Sequence, residues 1–505
     1  MQIWIDSSSD CIKVSIYQAM KKFTFGWILF FYLLPKALIA VDFGDLDPKY
    51  FPPNGWYGYE WQDSSGWLDV DAVKEGVLPD NPSINVAKQL EAVVDKYRDK
   101  KIRILFPAGT WRFTESCEMH KPGGGLILRG AGRDKTHFII DTKESVISGI
   151  LIDGSSSQPG NKMPVLEKVC RGDQIITVSK GNAAKIPVGS YLLINAVIQI
   201  PKDRDNPDGV FRKTAQIVKV TRKDEDGKVF LDMKLGMDMP NAQAHVLELG
   251  QECGVEGIHI ARLRLAPINT RNLGVINVCK GFVRDCEVTG SITGGIFISS
   301  CRDFIVTRNL VHELFVPMVK GVNNYNAGSH GDGILVAGYS TAVHVTNNRL
   351  WNLRHHIILI EANHCVVSYN KLEPAFYAYG DLAQHNGHCG NNNLFEGNTG
   401  SDMATDNYRN SYMPTTYITY FRNHAALEIG SLRPYSSYYT IIGNEIDGKQ
   451  GVVNVGNPNG AFYVGANKIE NNLQMGQVSP TAHIPPSLVY SVKPEYVAKW
   501  PLFGP

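Results

Sequence analysis

The chain has 505 residues, and its 50 Lys and Arg against 49 Asp and Glu give a formal net charge of +1 at pH 7. Hydrophobic residues make up 43% and charged residues 20% of the sequence, a balance that is typical of globular proteins and excludes a disordered or collagen-like chain. The near-neutral charge argues against a nucleic-acid-binding protein, which usually carries a basic excess.

The first predicted element is a secretory signal peptide over residues 20–40. Two lysines precede a short apolar run, and Ala37 and Ala40 stand at the −3 and −1 positions of a cleavage site. Residues 1–19 are interpreted as lying upstream of the natural start. The sequence thus predicts a secreted protein, extracellular or periplasmic, with no membrane partner after cleavage; an uncleaved anchor is the alternative.

Residues 41–155 are predicted to form an N-terminal arm, a helix and the first coils of the fold. An apolar stripe with helical spacing follows Ser83, a residue able to cap a helix N-terminus. The stripe consists of Val86, Leu90, Val93, Val94 and Tyr97. We expect this helix to cover an open end of the fold, where strand edges would otherwise be exposed.

Residues 156–250 are predicted to form a small antiparallel β insertion. Apolar and polar residues alternate in DQIITV, TAQIVKV and KVFLDMKL, as in strands with one buried face. Asp226 and Gly227 form a hairpin turn signal between two of these segments.

A repeat begins near residue 256 and is the strongest signal in the sequence. Eight segments of eleven residues align, among them RDFIVTRNLVH and TAVHVTNNRLW, and seven of them carry asparagine at the eighth position. These are Asn309, Asn348, Asn370, Asn398, Asn423, Asn444 and Asn467. Their spacings are 39, 22, 28, 25, 21 and 23 residues, and the first equals one coil of 22 residues plus an insertion of 17.

Such coils, built from short strands and tight turns, can stack with neighbouring strands about 4.8 Å apart. Asparagine suits the stack because it tolerates left-handed turns and its amide can bond to the asparagines above and below. We therefore predict an all-β, single-stranded right-handed parallel β-helix with its main coils in residues 251–475. Residues 476–505 are predicted to form a tail along the outside, and an asparagine-rich β-sandwich is the alternative fold.

Several segments are characteristic of one family. They are DVDAVKEGVLPDN, FPAGTW and LILRGAG near the start, and GDGILV, LRHHIILIEANHCVVSYN, YGDLAQH, NLFEGN and YFRNHA later. Through them the chain resembles the secreted pectate-lyase-like β-helix proteins, and its second half is similar to a bacterial subgroup largely of unassigned function. The resemblance implies the fold and leaves the reaction open, because the paired DD and RIK signatures of polygalacturonases and the DPHE pattern of mannuronan epimerases are missing.

Counting back from the repeated asparagines predicts a column of charged residues on successive coils. Asp332 and Arg354 precede the asparagines of their own coils by the same interval. Asp381 and Asp406 stand one position further from theirs, and Asn407 restores the first interval. Five histidines fall close to the same column: His330, His355, His356, His385 and His388.

This column suits β-elimination at a uronate, which needs a cation for the carboxylate, a base for the C5 proton and an acid for the leaving oxygen. Arg354 suits carboxylate recognition, and His355 and His385 suit proton transfer. Asp332 and Asp381 could act as acids or hold Ca²⁺, which is the cofactor considered for this reaction. The predicted substrate-binding residues are His330, His388, Asp406, Asn407 and Lys320. The sequence thus predicts a monomeric lyase acting on an acidic polysaccharide.

Other interpretations of these residues stay open. Asp332 and Asp381 could be the carboxyl pair of a glycoside hydrolase, which requires a separation of about 5–9.5 Å. The protein could instead bind glycan without turnover, and the charged column could be a structural ion-pair ladder. His356 could be a buried structural residue, and the histidines could hold zinc.

Cysteines and aromatic residues leave two further choices. Cys279 and Cys301 lie 22 residues apart and are predicted to occupy the same position in adjacent coils, as a disulfide or as stacked thiols. The aromatic stretch over residues 50–67 could pack along the β-helix or offer a platform for sugar rings.

Overall fold

The computed structural model describes residues 43–505 except for short segments. These segments are 54, 82–84, 143–146, 156–161, 201–209, 264–269, 291–293, 315–330, 374–381, 385–389, 406–415, 432–437, 450, 455–461, 471, 474–475, 480 and 505. The predicted leader and residues 1–19 lie outside the described residues. In the described part of the chain, no helix is long and apolar enough to cross a membrane.

Three rows of short parallel strands make up most of the fold. The first row contains Leu68–Asp71, Ile102–Phe106, Leu126–Gly130, Cys253–Glu256 with Gly250–Gln251 beside it, Val278–Arg284, Arg302–Thr307, Thr341–Thr346, Val366–Ser368, Leu394–Glu396, Thr419–Phe421, Tyr439–Ile442 and Phe462–Gly465. Each coil then adds a strand to a second and a third row before it returns to the first.

The strands of the second row follow those of the first row along the chain. It contains Gly109–Phe113, Thr136–Ile140, His259–Arg262, Glu287–Gly290, Leu310–His312, Arg349–Trp351, Lys371–Leu372, Glu445–Ile446 and Lys468–Ile469, with Asn472–Leu473 antiparallel to the last. The third row contains Cys117–His120, Ser148–Asp153, Arg271–Ile276, Gly294–Ser299, Asp332–Ala337, His355–Leu359, Leu382–Gln384 and Gly451–Asn454. Thr399–Thr405 and His424–Ser431 run through both rows, which merge into one sheet. The predicted all-β parallel β-helix is confirmed.

An antiparallel sheet interrupts the coils, as predicted. Its strands are Met163–Pro164, Ile175–Thr177, Tyr191–Ile200, Val210–Lys223, Lys228–Leu231 and Gln243–Leu247, and a short helix spans Lys180–Ala184. The insertion contacts the first row through the Ile217 N–H, which donates to Thr341 Oγ1 at 3.0 Å, and through Asn363 Nδ2, which donates to the Ala215 carbonyl at 2.8 Å.

The predicted N-terminal helix spans Val86–Lys96, and a 3-10 helix spans Pro48–Tyr50. The cap predicted at Ser83 is wrong. Asn85, the residue directly before the helix, occupies the N-cap, and its side chain accepts the Lys88 N–H. A capping oxygen binds the amide two or three residues further along the chain, and Lys88 lies three residues after Asn85. The apolar stripe is buried against the first coils.

The asparagine ladder forms between the first and second rows. Each side-chain amide donates to the Oδ1 of the next asparagine over 2.9–3.1 Å, from Asn309 through to Asn467. The same Oδ1 atoms accept backbone N–H groups from the preceding coil. The ladder therefore fixes the register of seven coils at one corner of the fold.

Cys279 and Cys301 do not occupy equivalent positions, so both the disulfide and the stacked-thiol predictions are wrong. Cys279 pairs with Arg302, and Cys286 holds the ladder position of its coil by donating its N–H to Asn309 Oδ1. The coil from Cys286 to Asn309 is therefore one residue longer than the predicted repeat of 22, so the predicted alignment of Cys279 with Cys301 is off by one residue. Cys301 consequently lies in the core, while Cys279 packs under the insertion, and both thiols are free.

The N-terminal arm packs along the outer face of the first row. Tyr50 stacks on Tyr463 with ring centroids 4.2 Å apart, Trp56 Nε1 donates to the Asn392 carbonyl at 2.6 Å, and Trp61 contacts Phe282 at 4.6 Å between centroids. The arm thus runs from the last described coils toward the first. Of the two roles left open for its aromatic residues, packing is the one that these contacts show.

The C-terminal tail covers the rest of this face and is held by a buried carboxyl group. Glu396 accepts the Leu488 N–H at 2.9 Å, the Ser487 hydroxyl at 2.5 Å and the Tyr369 hydroxyl at 3.1 Å. Burial raises the pKa of Glu396 to about 7, and the three donors oppose that shift. The arm and the tail therefore shield the first row from solvent.

Loss of one ladder side chain should destabilise the whole stack. In Asn370→Ala, the Asn348 N–H and Nδ2 groups lose the Oδ1 acceptor that they reach at 3.0 Å. The Asn348 N–H is left unsatisfied, while Nδ2 keeps the Val306 and Thr346 carbonyls. This loss should lower the free energy of unfolding by about 1–3 kcal/mol, measured by denaturant titration. The neighbouring exposed change Lys371→Ala is the control, and equal losses in both variants would contradict the ladder's role.

The Glu396 contact should make stability depend on pH. A carboxyl pKa that is higher in the fold than in the unfolded chain means that the fold favours the protonated form. The resulting stability is fully present below the unfolded pKa and lost as pH rises through about 7. Tail cleavage by a protease should therefore be faster at pH 8 than at pH 5.5. In Glu396→Gln the difference between the cleavage rates at pH 8 and pH 5.5 should be smaller. An unchanged difference would show that another group causes the pH dependence.

Candidate functional site

The third row presents a column of residues at the amino ends of its strands. Ser148 pairs with Arg271, Arg271 with Gly294, and Asp332 with His355. The register of the residues that follow places Gly294 beside Asp332. Successive members therefore lie about 4.8 Å apart. We call these five residues the third-row column.

The side chains of the third-row column point away from the hydrophobic core. A Cβ on Gly294 would meet the Arg271 side chain, whereas a Cβ on Gly295 would meet Val311 and Leu314 of the core. The residue after Gly295 faces the core as well, so the strand bends there. Residues before the bend consequently face outward.

The charged members of this column are nevertheless buried. Arg271 and Asp332 are each 5% exposed, and His355 is 0% exposed. Burial lowers the pKa of the Arg271 guanidinium, and the Asp332 carboxylate opposes the shift. Within the described residues, no hydrogen bond reaches Arg271 Nε or Asp332 Oδ1. Buried charged atoms in this condition are typical of ligand sites.

Sequence reasoning placed Arg354 in line with Asp332, and this is wrong by one residue. His355 pairs with Asp332, while the Arg354 N–H donates to the Gly331 carbonyl at 2.8 Å. The turn back to the first row is one residue shorter after His355–Leu359 than after Asp332–Ala337. Arg354 is half-exposed at the edge of the column.

The structure places His356 on the third row as well, next to His355. Ile357 pairs with Ile334, so His356 stands opposite Gly333. His356 is 0% exposed, in agreement with the interpretation of it as a buried residue.

The other predicted site residues lie outside the described residues. They are Asp381 and His385 among the catalytic set, and Lys320, His330, His388, Asp406 and Asn407 among the substrate-binding set. Asp332, His355 and Arg354 are therefore the predicted residues whose placement the structure gives.

Sequence reasoning missed Arg271, although a signal for it existed. Cys286 holds the ladder position of its coil. Arg271 precedes Cys286 by the same interval as His355 precedes Asn370. Because this coil has cysteine in place of the repeated asparagine, counting back from the asparagines did not include it, and Arg271 was not predicted.

A carboxyl pair further along the third row was also missed. Asp402 pairs with Glu428 across adjacent strands. Glu428 is 9% exposed, and burial raises the pKa of its carboxyl group. Glu428 precedes Asn444 by 16 residues, as Asp332 precedes Asn348, whereas Asp402 precedes Asn423 by 21, so counting from the asparagines does not bring the two together.

The described residues do not fit the Ca²⁺ ion considered for this region. Calcium requires six to eight oxygen ligands, and the column supplies the single carboxylate of Asp332 with a guanidinium nearby. Among the described residues, no group of three or more His, Cys, Asp or Glu side chains is arranged to hold a metal ion.

The buried Glu428 carboxyl group should reduce stability, as functional groups often do. Replacing it by the neutral isostere in Glu428→Gln should raise the free energy of unfolding by about 0.5–1 kcal/mol, measured by thermal unfolding at pH 8. The exposed change Glu118→Gln should be neutral. A loss of stability in Glu428→Gln would show that the carboxylate has a structural role.

No model of a known protein family matches the sequence, and no curated protein matches it. Among solved structures, the chain is similar to the tailspike gp49 of Pseudomonas phage LKA1, with 13% identity and a TM-score of 0.50 over 76% of this chain and 71% of that one. The tailspike gp61 of Pseudomonas phage phi297 matches with 10% identity and a TM-score of 0.44 over 79% and 80%. An alginate lyase from Paenibacillus matches with 8% identity and a TM-score of 0.37 over 80% and 99%. At these identities the likeness to the LKA1 tailspike establishes the β-helix fold alone.

Proposed function

We propose that the protein is a polysaccharide lyase that cleaves an acidic, uronate-containing glycan by β-elimination at the third-row column. The observation that supports this is the pairing of Asp332 with His355 on adjacent strands of the third row. Both residues are buried at the outward-facing column, and Arg354 immediately precedes His355 in the chain. A secreted enzyme of this kind would meet its substrate outside the cell, in keeping with the leader expected at residues 20–40.

The three groups divide the chemistry of elimination among them. The His355 imidazole would take the C5 proton of the uronate as the C4–O bond breaks and a C4–C5 double bond forms. The Asp332 carboxylate, one strand away, would stabilise the resulting imidazolium. Arg354 would neutralise the uronate carboxylate, which makes the C5 proton more acidic. The leaving oxygen must gain a proton, the role expected of His385.

A glycoside hydrolase is the second candidate, and the pairing of Asp402 with Glu428 favours it. Hydrolases place an acid and a base or nucleophile about 5–9.5 Å apart, and register partners on adjacent strands can meet the lower end of that range. The raised pKa of Glu428 suits the proton-donating member of such a pair.

Incubation with polymers of galacturonate, mannuronate, guluronate and glucuronate should test the lyase proposal. We expect new ultraviolet absorbance from the unsaturated uronate. His355→Asn should lower kcat/KM by about 10²–10⁴-fold, since it removes the proton acceptor. Glu428→Gln is the matched control and should retain most of the activity.

New reducing ends without absorbance, abolished by Glu428→Gln and not by His355→Asn, would overturn the lyase proposal in favour of the hydrolase. Binding of a polymer without any product would favour a glycan-binding protein.

A further inference from the structure

Gly294 leaves a gap between the two buried charges of the third-row column. It stands between Arg271 and Asp332, and any side chain there would collide with the Arg271 side chain. Arg271 therefore lies over Gly294, on the side that leads to Asp332.

The two charged groups do not satisfy each other across that gap. Arg271 Nη1 donates to the Thr270 carbonyl at 3.3 Å. In the described part of the chain no ion pair joins Arg271 to Asp332, and Nε and Oδ1 have no hydrogen-bond partner. Gly294 separates the two residues by two strand steps of about 4.8 Å each, so the carboxylate lies near the guanidinium without forming an ion pair with it.

Burying a guanidinium and a carboxylate in this way is costly unless a further group completes their hydrogen bonds. An anion would complete those of Arg271, whose planar fork matches a carboxylate. A hydroxyl group would complete those of Asp332, since an ionised carboxylate only accepts. A sugar acid carries both groups on one ring.

We propose that Arg271, Gly294 and Asp332 form a subsite for one uronate residue, with its carboxylate on Arg271 and a hydroxyl on Asp332. This rests on the proposed function, because it treats the third-row column as the polysaccharide site. It also narrows the substrate. Arg354 lies beside His355, two strands from Gly294, so the glycan presents acidic groups at two separate positions. The substrate class is a polyuronate rather than a glycan with isolated acidic residues.

Thermal protection of the intact protein tests the subsite without relying on catalysis. The probes are oligomers of galacturonate, mannuronate, guluronate and glucuronate, the same oligomers after reduction of their carboxyl groups, and sodium acetate. We expect at least one acidic oligomer to raise the unfolding temperature and its reduced form to have no effect. Equal protection by the reduced form, protection by acetate alone, or no protection by any oligomer would overturn the subsite.

Variants separate the subsite from the chemistry. Arg271→Gln should weaken the binding of the protecting oligomer by about 10–100-fold, the loss expected for a charged hydrogen bond, and Arg271→Lys should restore part of it. The exposed Arg349, paired with Glu373 on the second row, supplies the matched control Arg349→Gln. Unchanged binding in folded Arg271→Gln would contradict the proposal.

Kinetic measurements distinguish failure of the subsite proposal from failure of the lyase proposal. In an active lyase, Arg271→Gln should raise KM more than it lowers kcat, whereas His355→Asn should lower kcat. Protection that depends on Arg271, in a protein that forms no unsaturated product, would retain the subsite and reject the reaction.

Discussion

Hydrogen bonding between stacked asparagine amides is the constraint on which the rest of the structure depends. Each amide binds the next along the axis, and each Oδ1 also accepts a backbone N–H, so the seven coils of the ladder turn at the same place. Residues that are far apart in sequence then come into line on the third row. Arg271 and His355 share a column for this reason, although they belong to different coils.

The three rows differ in what covers them. The arm and the tail bury the outer face of the first row, and the antiparallel insertion closes its edge at Thr341 and Asn363. These contacts cover the first row within the described residues, and the third row carries the buried Arg271, Asp332 and His355.

Much of the fold was predictable from the sequence, because asparagines in register are a local signal with one physical cause. The site was less so, since its alignment depends on turn lengths that the asparagine count treats as constant. The turn after Leu359 is one residue shorter than the turn after Ala337, so His355 rather than Arg354 stands opposite Asp332. One residue more before Asn309 misaligned Cys279 with Cys301. The space beside Gly294 could not be predicted, because it depends on where the Arg271 side chain of the neighbouring strand lies.

The N-terminal arm changes how such a stack comes apart. Repeat proteins whose coils touch only their neighbours can lose end coils one at a time. Here the arm contacts coils at Phe282, Asn392 and Tyr463, and Asp45 exchanges hydrogen bonds with His483 of the tail at 3.0 and 2.6 Å. The terminal coils cannot fray without breaking contacts made far away along the axis. The arm thus couples a one-dimensional array into a single cooperative unit.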